Sequence, residues 1–150
     1  MPKEIVRTDT APSPIGPYSQ AVHAGNLIFV AGQGCVNPRT GQREDGSIQA
    51  ETRQVMENVK AILEAAGASM QDVVKTTCFL ADINDFQAFN AVYAEYFPSE
   101  PPARTTIQAA RLPNDIRVEV EAVALLERHD VFQPQPAISA TATAPPGPRS

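Results

Sequence analysis

Apolar side chains recur at helical spacing from Ala50 to Ala66. Val55, Val59, Ile62, Leu63 and Ala66 fall on one face, and Gly67 suits the position after a last turn. A second helix is expected from Asp85 to about Phe97. Asn84 and Gln87 have the spacing of a capping box, Phe86, Phe89, Tyr93 and Phe97 form an inner stripe, and Pro98 stops the helix. Asn90 lies on the same stripe. It reads either as a helix residue at the edge of the core or as a buried amide bonding backbone or a pocket. Period-two or β-branched patterns mark the strands. Ala21–His23 and Leu27–Ala31 flank Gly25-Asn26 as a hairpin, and Gly32-Gln33-Gly34 ends the second strand where backbone can come close to another group. Asn37–Gly41 has turn chemistry. Val73–Leu80 is a further strand, and strand, helix and strand in this order imply a crossover unit.

The stretch Pro101–Leu126 reads as two strands, 103–110 and 116–126, paired through a tight connection at Leu112–Asp115. In the last strand the even positions Ile116, Val118, Val120, Ala122, Ala124 and Leu126 are all apolar. The odd positions begin polar, with Arg117, Glu119 and Glu121, and end apolar, with Val123 and Leu125. One face is therefore buried throughout, and the other needs cover at its far end. The chain has few elements left to supply that cover, which points to oligomerisation. Met1–Pro14 reads as an extended arm packed on the body. From His129 onward the chain is rich in Pro, Ala, Ser and Thr with almost no large apolar residue after Phe132. The expected organisation is one folded domain, 1–128, and a flexible tail, 129–150.

Composition narrows the function classes. A hydrophobic content of 43% and a charged content of 19% fit a soluble globular domain, and 150 residues are enough for a proper core. The net charge of -5 argues against a nucleic-acid footprint, yet one arginine can dominate a pocket for a small anion. No stretch has the length of a signal-peptide core or a transmembrane helix. Cys35 and Cys78 have no metal-ligand or redox-motif spacing, so both are expected as reduced thiols in a cytoplasmic protein.

Candidate chemistry centres on Arg104, Glu119 and Glu121. Arg104 offers a planar fork for a carboxylate, or else is a surface residue or the partner of one of the glutamates. Glu119 and Glu121 share a strand face, where they could polarise water or simply meet solvent. Tyr18, after Gly16-Pro17, could close a pocket or pack at a turn. His23 and His129 have no partner at catalytic spacing, Cys35 lacks an electropositive setting, and no phosphate loop or metal cluster is present. Residue chemistry alone ends at an α+β domain with a possible carboxylate-binding arginine.

IGPYSQAV, AGQ with VNPRTG, ENVKAILEAAG, DVVKTTCFLADINDF, NAVY, PPARTTIQAARLP and VEVEAVA, in this order over residues 8 to 127, resemble the Rid family of reactive intermediate deaminases. The resemblance implies a chorismate-mutase-like α+β fold: a mostly antiparallel sheet with two helices on one face. It also implies a homotrimer whose sheets form a central barrel, with pockets between subunits closed by Tyr18 and Gly32 of a neighbour. The implied activity is hydrolysis of 2-enamine and 2-imine acids, such as 2-aminoacrylate and 2-iminopropionate, to 2-keto acids and ammonia, without metal or organic cofactor. By the same resemblance Arg104 grips the small carboxylate substrate, Glu119 activates water, Tyr18 and Gly32 line the pocket, and Asn90 stands nearby. Glu121 takes the second acidic position. Ala31 replaces the family's usual serine and Thr106 its usual cysteine. A deaminase of a specific catabolic enamine such as 2-aminomuconate is an alternative. A keto-acid-sensing trimer without turnover is another. RNA cleavage or translation inhibition is a label also attached to the family, and the acidic charge argues against it; a holdase-like chaperone is a further reading.

Overall fold

In the computed structural model, which describes residues 2–126, the alternating segments join one open sheet. Its strands are β1 (Glu4–Val6), β2 (Ala21–Ala24), β3 (Leu27–Gln33), β4 (Val73–Leu80), β5 (Ala103–Gln108) and β6 (Val118–Leu125), in the order β1-β2-β3-β6-β4-β5. Neighbours are antiparallel except β4 and β5, which are parallel. The sheet is thus mixed and mostly antiparallel, and one chain alone closes no barrel. Two helices, α1 (Ile48–Ala65) and α2 (Phe86–Tyr96), pack on each other, and α1 also packs on β3 and β6. The tail expected over 129–150, and His129 with it, lies outside the described residues.

Local chemistry shifts several boundaries. The hairpin forms, with Gly25 at φ 60° in its turn. The N-terminal arm contributes a strand of its own, pairing Ile5 with Val22. Helix α1 starts before the apolar stripe because Ser47 caps it, its hydroxyl accepting from the Ala50 N–H at 3.0 Å. The expected box at Asn84 and Gln87 is not what opens the second helix. Asp82 accepts from the Asn84 N–H at 2.9 Å, a short 3-10 turn at Ile83–Asp85 follows, and α2 begins at Phe86. Val73–Leu80 forms as read from the sequence.

The pairing expected within Pro101–Leu126 does not occur. β4 lies between β5 and β6, pairing Thr76 with Arg104 on one side and with Ala122 on the other. The reason is topological. After β4 the chain crosses through α2, so β5 returns parallel to β4, as an α-helical crossover requires. The 109–117 connection then passes around the end of β4, where Ala109 N–H bonds the Leu80 carbonyl and Ala81 N–H bonds that of Arg117. This leaves β5 at an edge of the sheet.

The inner face packs on α1 and α2 through fully buried Ile28, Val118, Val120, Leu80, Val55, Ile62, Leu63 and Phe89. The odd positions of β6 face the other way. The apolar end expected to need cover is open in the single chain: Leu125, Leu27, Phe29, Val74 and Ile107 are all exposed. One polar group in the core is structural. Asn58, 1% exposed on the inner face of α1, donates from Nδ2 to the carbonyls of Gly34 at 3.0 Å and Val36 at 2.9 Å. Replacing it by Ala strands both carbonyls, so Asn58→Ala is expected to lower the unfolding free energy by about 2–4 kcal/mol. Urea denaturation at fixed protein concentration measures this, and a loss below about 0.5 kcal/mol would mean that water replaces the amide.

Candidate active site

The end of β3 and the beginning of β6 meet at an irregular point. Their register shifts between Val30, opposite Ala122, and Gln33, opposite Val120, so Ala31 and Gly32 bulge. The Glu119 side chain folds over Gly32. A Cβ on Gly32 would stand 2.9 Å from Glu119 Cδ and 2.9 Å from its Oε2, closer than real atoms approach. Any side chain at position 32 would push the Glu119 carboxyl aside. The close approach expected at Gly32-Gln33-Gly34 is this one.

Beside that contact lies a cavity of about 300 Å³. Ala31, Gly32, Tyr18 and Glu119 all line it, with Cys35 and Ile116. Tyr18 is held in a tight turn: its N–H bonds the Gly16 carbonyl at 2.8 Å and its hydroxyl accepts from the Ile15 N–H at 3.1 Å. Buried Gln20 fastens the wall formed by the N-terminal arm, its Nε2 donating to the Thr8 carbonyl at 3.0 Å and the Pro12 carbonyl at 2.9 Å. Burial first, and the charge of Glu121 second, raise the pKa of half-buried Glu119 above its ordinary value. A carboxylate so placed is a better proton acceptor than a free one. Glu121 is exposed on the same outer face, opposite Thr77.

Arg104 is elsewhere. Its Cζ sits 4.7 Å from the ring centre of Tyr93, 5.4 Å from Phe86 and 5.7 Å from Phe89, all on α2. Three aromatic faces hold the guanidinium, and among the described residues no carboxylate forms a salt bridge with it. The ion pair with Glu119 or Glu121 weighed from the sequence is absent because these groups occupy opposite faces of the sheet. Arg104 is on the helix side, opposite Thr76, and Glu119 on the outer side, opposite Phe79. Asn90, one helical turn from Phe86, and Thr106, two residues from Arg104, share the arginine's side. Asn90 Oδ1 is buried without a hydrogen-bond partner. Thr106 Oγ1 is buried with only the Cys78 thiol opposite it. The candidate residues therefore fall into two groups on opposite faces: Glu119, Tyr18, Ala31 and Gly32 on one, Arg104, Asn90 and Thr106 on the other, so that Tyr18 and Gly32, expected to close the pocket from a neighbour, stand beside the Glu119 of their own chain.

Both thiols are protected. Burial pushes Cys35 up to about 11 and Cys78 up to about 11. The main omission from the sequence reading is Glu51. Its buried Oε1 accepts from Cys35 Sγ at 3.3 Å and from the Arg117 N–H at 3.2 Å. Oε2 lies 3.2 Å from Arg117 Nε, near enough for an ion pair though not aligned as a hydrogen bond. The available signal was position: Glu51 and Asn58 stand four residues before and three after Val55, on the apolar face of α1. Among the described residues no group of three or more His, Cys, Asp or Glu is placed to hold a metal ion.

Comparisons with known proteins agree with this architecture. The family profile described as Endoribonuclease L-PSP matches residues 8–126. A RutC family protein of Pyrococcus horikoshii is 54% identical over 125 residues, covering 83% of this chain and 99% of its own length. The 2-iminobutanoate/2-iminopropanoate deaminase of Dermatophagoides farinae is 48% identical over 126 residues, covering 84% and 98%. The crystal structure of E. coli TdcF with bound serine superposes with a TM-score of 0.80 at 42% identity, over 83% of this chain and 99% of that one.

The raised pKa of Glu119 has a definite sign. Protonation is favoured in the folded chain, so the stability that goes with it is present at low pH and lost as pH rises through the raised value. A carbon-13 NMR titration is expected to place Glu119 above the unperturbed value of about 4.3, and Glu121→Gln, by removing the neighbouring charge, to move it down. A wild-type value at or below that mark, or no downward move in the variant, would show that another group sets the titration.

Proposed function

This chain belongs to the endoribonuclease L-PSP family, which includes the RutC and Rid proteins, and on that premise we propose that it hydrolyses 2-enamine and 2-imine acids to 2-keto acids and ammonia. The observation that carries the reading is the Glu119 carboxyl, half-buried beside an apolar cavity, pressed against Gly32 and shifted toward proton acceptance. The deaminase of Dermatophagoides farinae supports the reaction class, and serine in the E. coli relative supports an α-amino-acid-like carboxylate as the bound group.

The chemistry asks little of the protein. An enamine first takes a proton on carbon and becomes the imine. Protonated at nitrogen, the imine carbon is already electrophilic. Water adds to it while giving a proton to Glu119, and the C=N pair moves onto nitrogen. Glu119 then returns the proton to that amine, the new hydroxyl gives its own proton to the freed Glu119 carboxylate as the carbonyl forms, and the C–N bond breaks to release ammonia, which carries that last proton away as ammonium. The substrate carboxylate needs a fixed cation, and Arg104, with no carboxylate partner among the described residues and clasped by three rings, suits it. Because Arg104 and Glu119 lie on opposite faces of one chain, the proposed site is composite. The partner subunit's Arg104, with the partner's Asn90 and Thr106, faces Glu119, Gly32, Ala31 and Tyr18 across a subunit interface. A homotrimer whose sheets close a central barrel supplies that geometry and covers the exposed outer face. We place this reaction in the cytoplasm, where enzymes that release such imines operate. A specific catabolic enamine such as 2-aminomuconate remains the alternative substrate.

The decisive assay generates 2-iminopropanoate enzymatically and follows keto-acid release. Glu119→Gln is expected to lower kcat/KM by about a hundredfold or more, while leaving the melting temperature at pH 7 unchanged or higher, because it removes a charge that burial disfavours. Arg104→Ala is expected to abolish carboxylate-dependent acceleration. Equal rates for wild type and Arg104→Ala would refute the assignment of the arginine. Gly32→Ala, which displaces the Glu119 carboxyl by its missing clearance, is expected to lower kcat by roughly ten- to a hundredfold with little change in KM. Mixing Arg104→Ala with Glu119→Gln protein checks the composite site: hybrid assemblies regain part of the activity that each parent lacks.

A further inference from the structure

The cavity beside Glu119 is far larger than the smallest imine acids require. We propose, resting on the deaminase reading, that it is a side-chain subsite, and that this chain prefers 2-imine acids with apolar side chains of four or more carbons over the alanine-derived one. A methyl group is about the size of a water molecule, roughly 30 Å³, a small part of the 300 Å³ that a single chain leaves open beside Glu119 before the substrate's carboxylate and the partner subunit's Arg104 enter the site.

The lining has the matching chemistry. Ile15, Val36, Ile116, Pro12 and Pro113 provide aliphatic surface, and the Tyr18 ring adds an aromatic face. The one carboxyl in the lining is that of Glu119, which reaches the chamber at the contact with Gly32. Cys35 belongs to the apolar part: its thiol, pushed up to about 11, stays neutral and donates to Glu51. An apolar chamber with a few convergent polar groups is the usual form of a small-molecule site.

The depth of the chamber is set by a side chain that is missing. Gly34 lines it without a Cβ, and a Cβ there would fall 2.8 Å from Ile116 Cδ1. Any larger residue at 34 therefore pushes the tip of Ile116. The surrounding wall cannot relax freely to compensate, because Asn58 holds the carbonyls of Gly34 and Val36 and Glu51 holds Cys35 and the backbone of Arg117. The chamber is preformed, and binding there costs little reorganisation. Each buried methylene strengthens binding by roughly fourfold, so three additional carbons give about a sixtyfold preference before ordering losses.

The test uses full-length protein with L-amino-acid oxidase producing the imine from leucine or from alanine, and semicarbazide trapping to time hydrolysis. Wild type is expected to show kcat/KM at least tenfold higher for the leucine-derived imine. Gly34→Val should cut that ratio at least tenfold. Calorimetry with 4-methyl-2-oxopentanoate and pyruvate should show the longer acid binding at least tenfold more tightly to wild type, a readout that needs neither turnover nor a variant. Equal ratios for the two imines with active enzyme would overturn the subsite and leave the deaminase reading standing. Binding in the expected order with neither imine hydrolysed faster than buffer would overturn the deaminase reading and leave the subsite standing. Equal binding of the two keto acids would overturn the subsite whatever the kinetics.

Discussion

Side chains on adjacent strands share a face or are separated by the full thickness of the sheet, and Arg104 and Glu119 are separated. The proposed function rests on that constraint. Arg104 points under α2, among Phe86, Phe89 and Tyr93, and Glu119 points outward over Gly32. No rotamer change brings a guanidinium through a sheet whose inner face is filled by Val118, Val120 and Leu80. A reaction that needs both groups must recruit one of them from another chain, so oligomerisation in the proposed enzyme is part of the chemistry.

The half-site around Glu119 depends on polar residues that do no chemistry. Glu51 and Asn58 reach from α1 through the apolar face of the helix to the loop after β3 and the start of β6. Such buried groups are costly unless satisfied, and these are satisfied by backbone that would otherwise be orphaned. Two segments of unrelated sequence are thereby held at a distance that lets Glu119 lie on Gly32. Gln20 does the same for the N-terminal arm. Rigid support of this kind keeps a carboxyl in a poorly solvated place, which is where its proton affinity comes from.

Periodicity revealed the elements well because each strand and helix buries one face. The β-branched run Val73–Leu80 and the stripe Val55–Val59–Ile62 leave little choice of structure. Pairing was less legible. A turn signal at Leu112–Asp115 suggests that the flanking strands are neighbours, but sequence adjacency carries no information on a strand inserted between them, and β4 is inserted. The candidate site residues came from the resemblance of whole motifs, and their grouping within a chain was not legible: Tyr18 and Gly32, expected from a neighbour, line the cavity with Glu119 of the same chain. Period two told correctly that Glu119 and Glu121 share a face, yet could not relate that face to Arg104 on another strand. Glu51 was hidden because a charged residue on an apolar helix face resembles the edge of the stripe until its partners are known.

The outer face joins these points. Leu27, Phe29 and Leu125 are exposed beside Val123 on β3 and β6, with Ile107 on the edge strand β5. Exposed apolar surface grouped on one sheet face is what a subunit interface presents before assembly. Glu119 and Glu121 occupy the polar end of the same β6 face, and Arg104 sits on β5 at the sheet edge. The proposed assembly, by covering the apolar part of this face, would carry the edge strand of one chain toward the acidic end of another. In the proposed trimer the hydrophobic gain of assembly, at about 25 cal/mol per Å² of apolar area, would hold the arginine and the glutamate together although no bond within a chain links them. The doubly apolar end of β6 and an Arg104 without a carboxylate partner among the described residues are in this view one feature: each lacks, in a single chain, what the proposed second chain would provide.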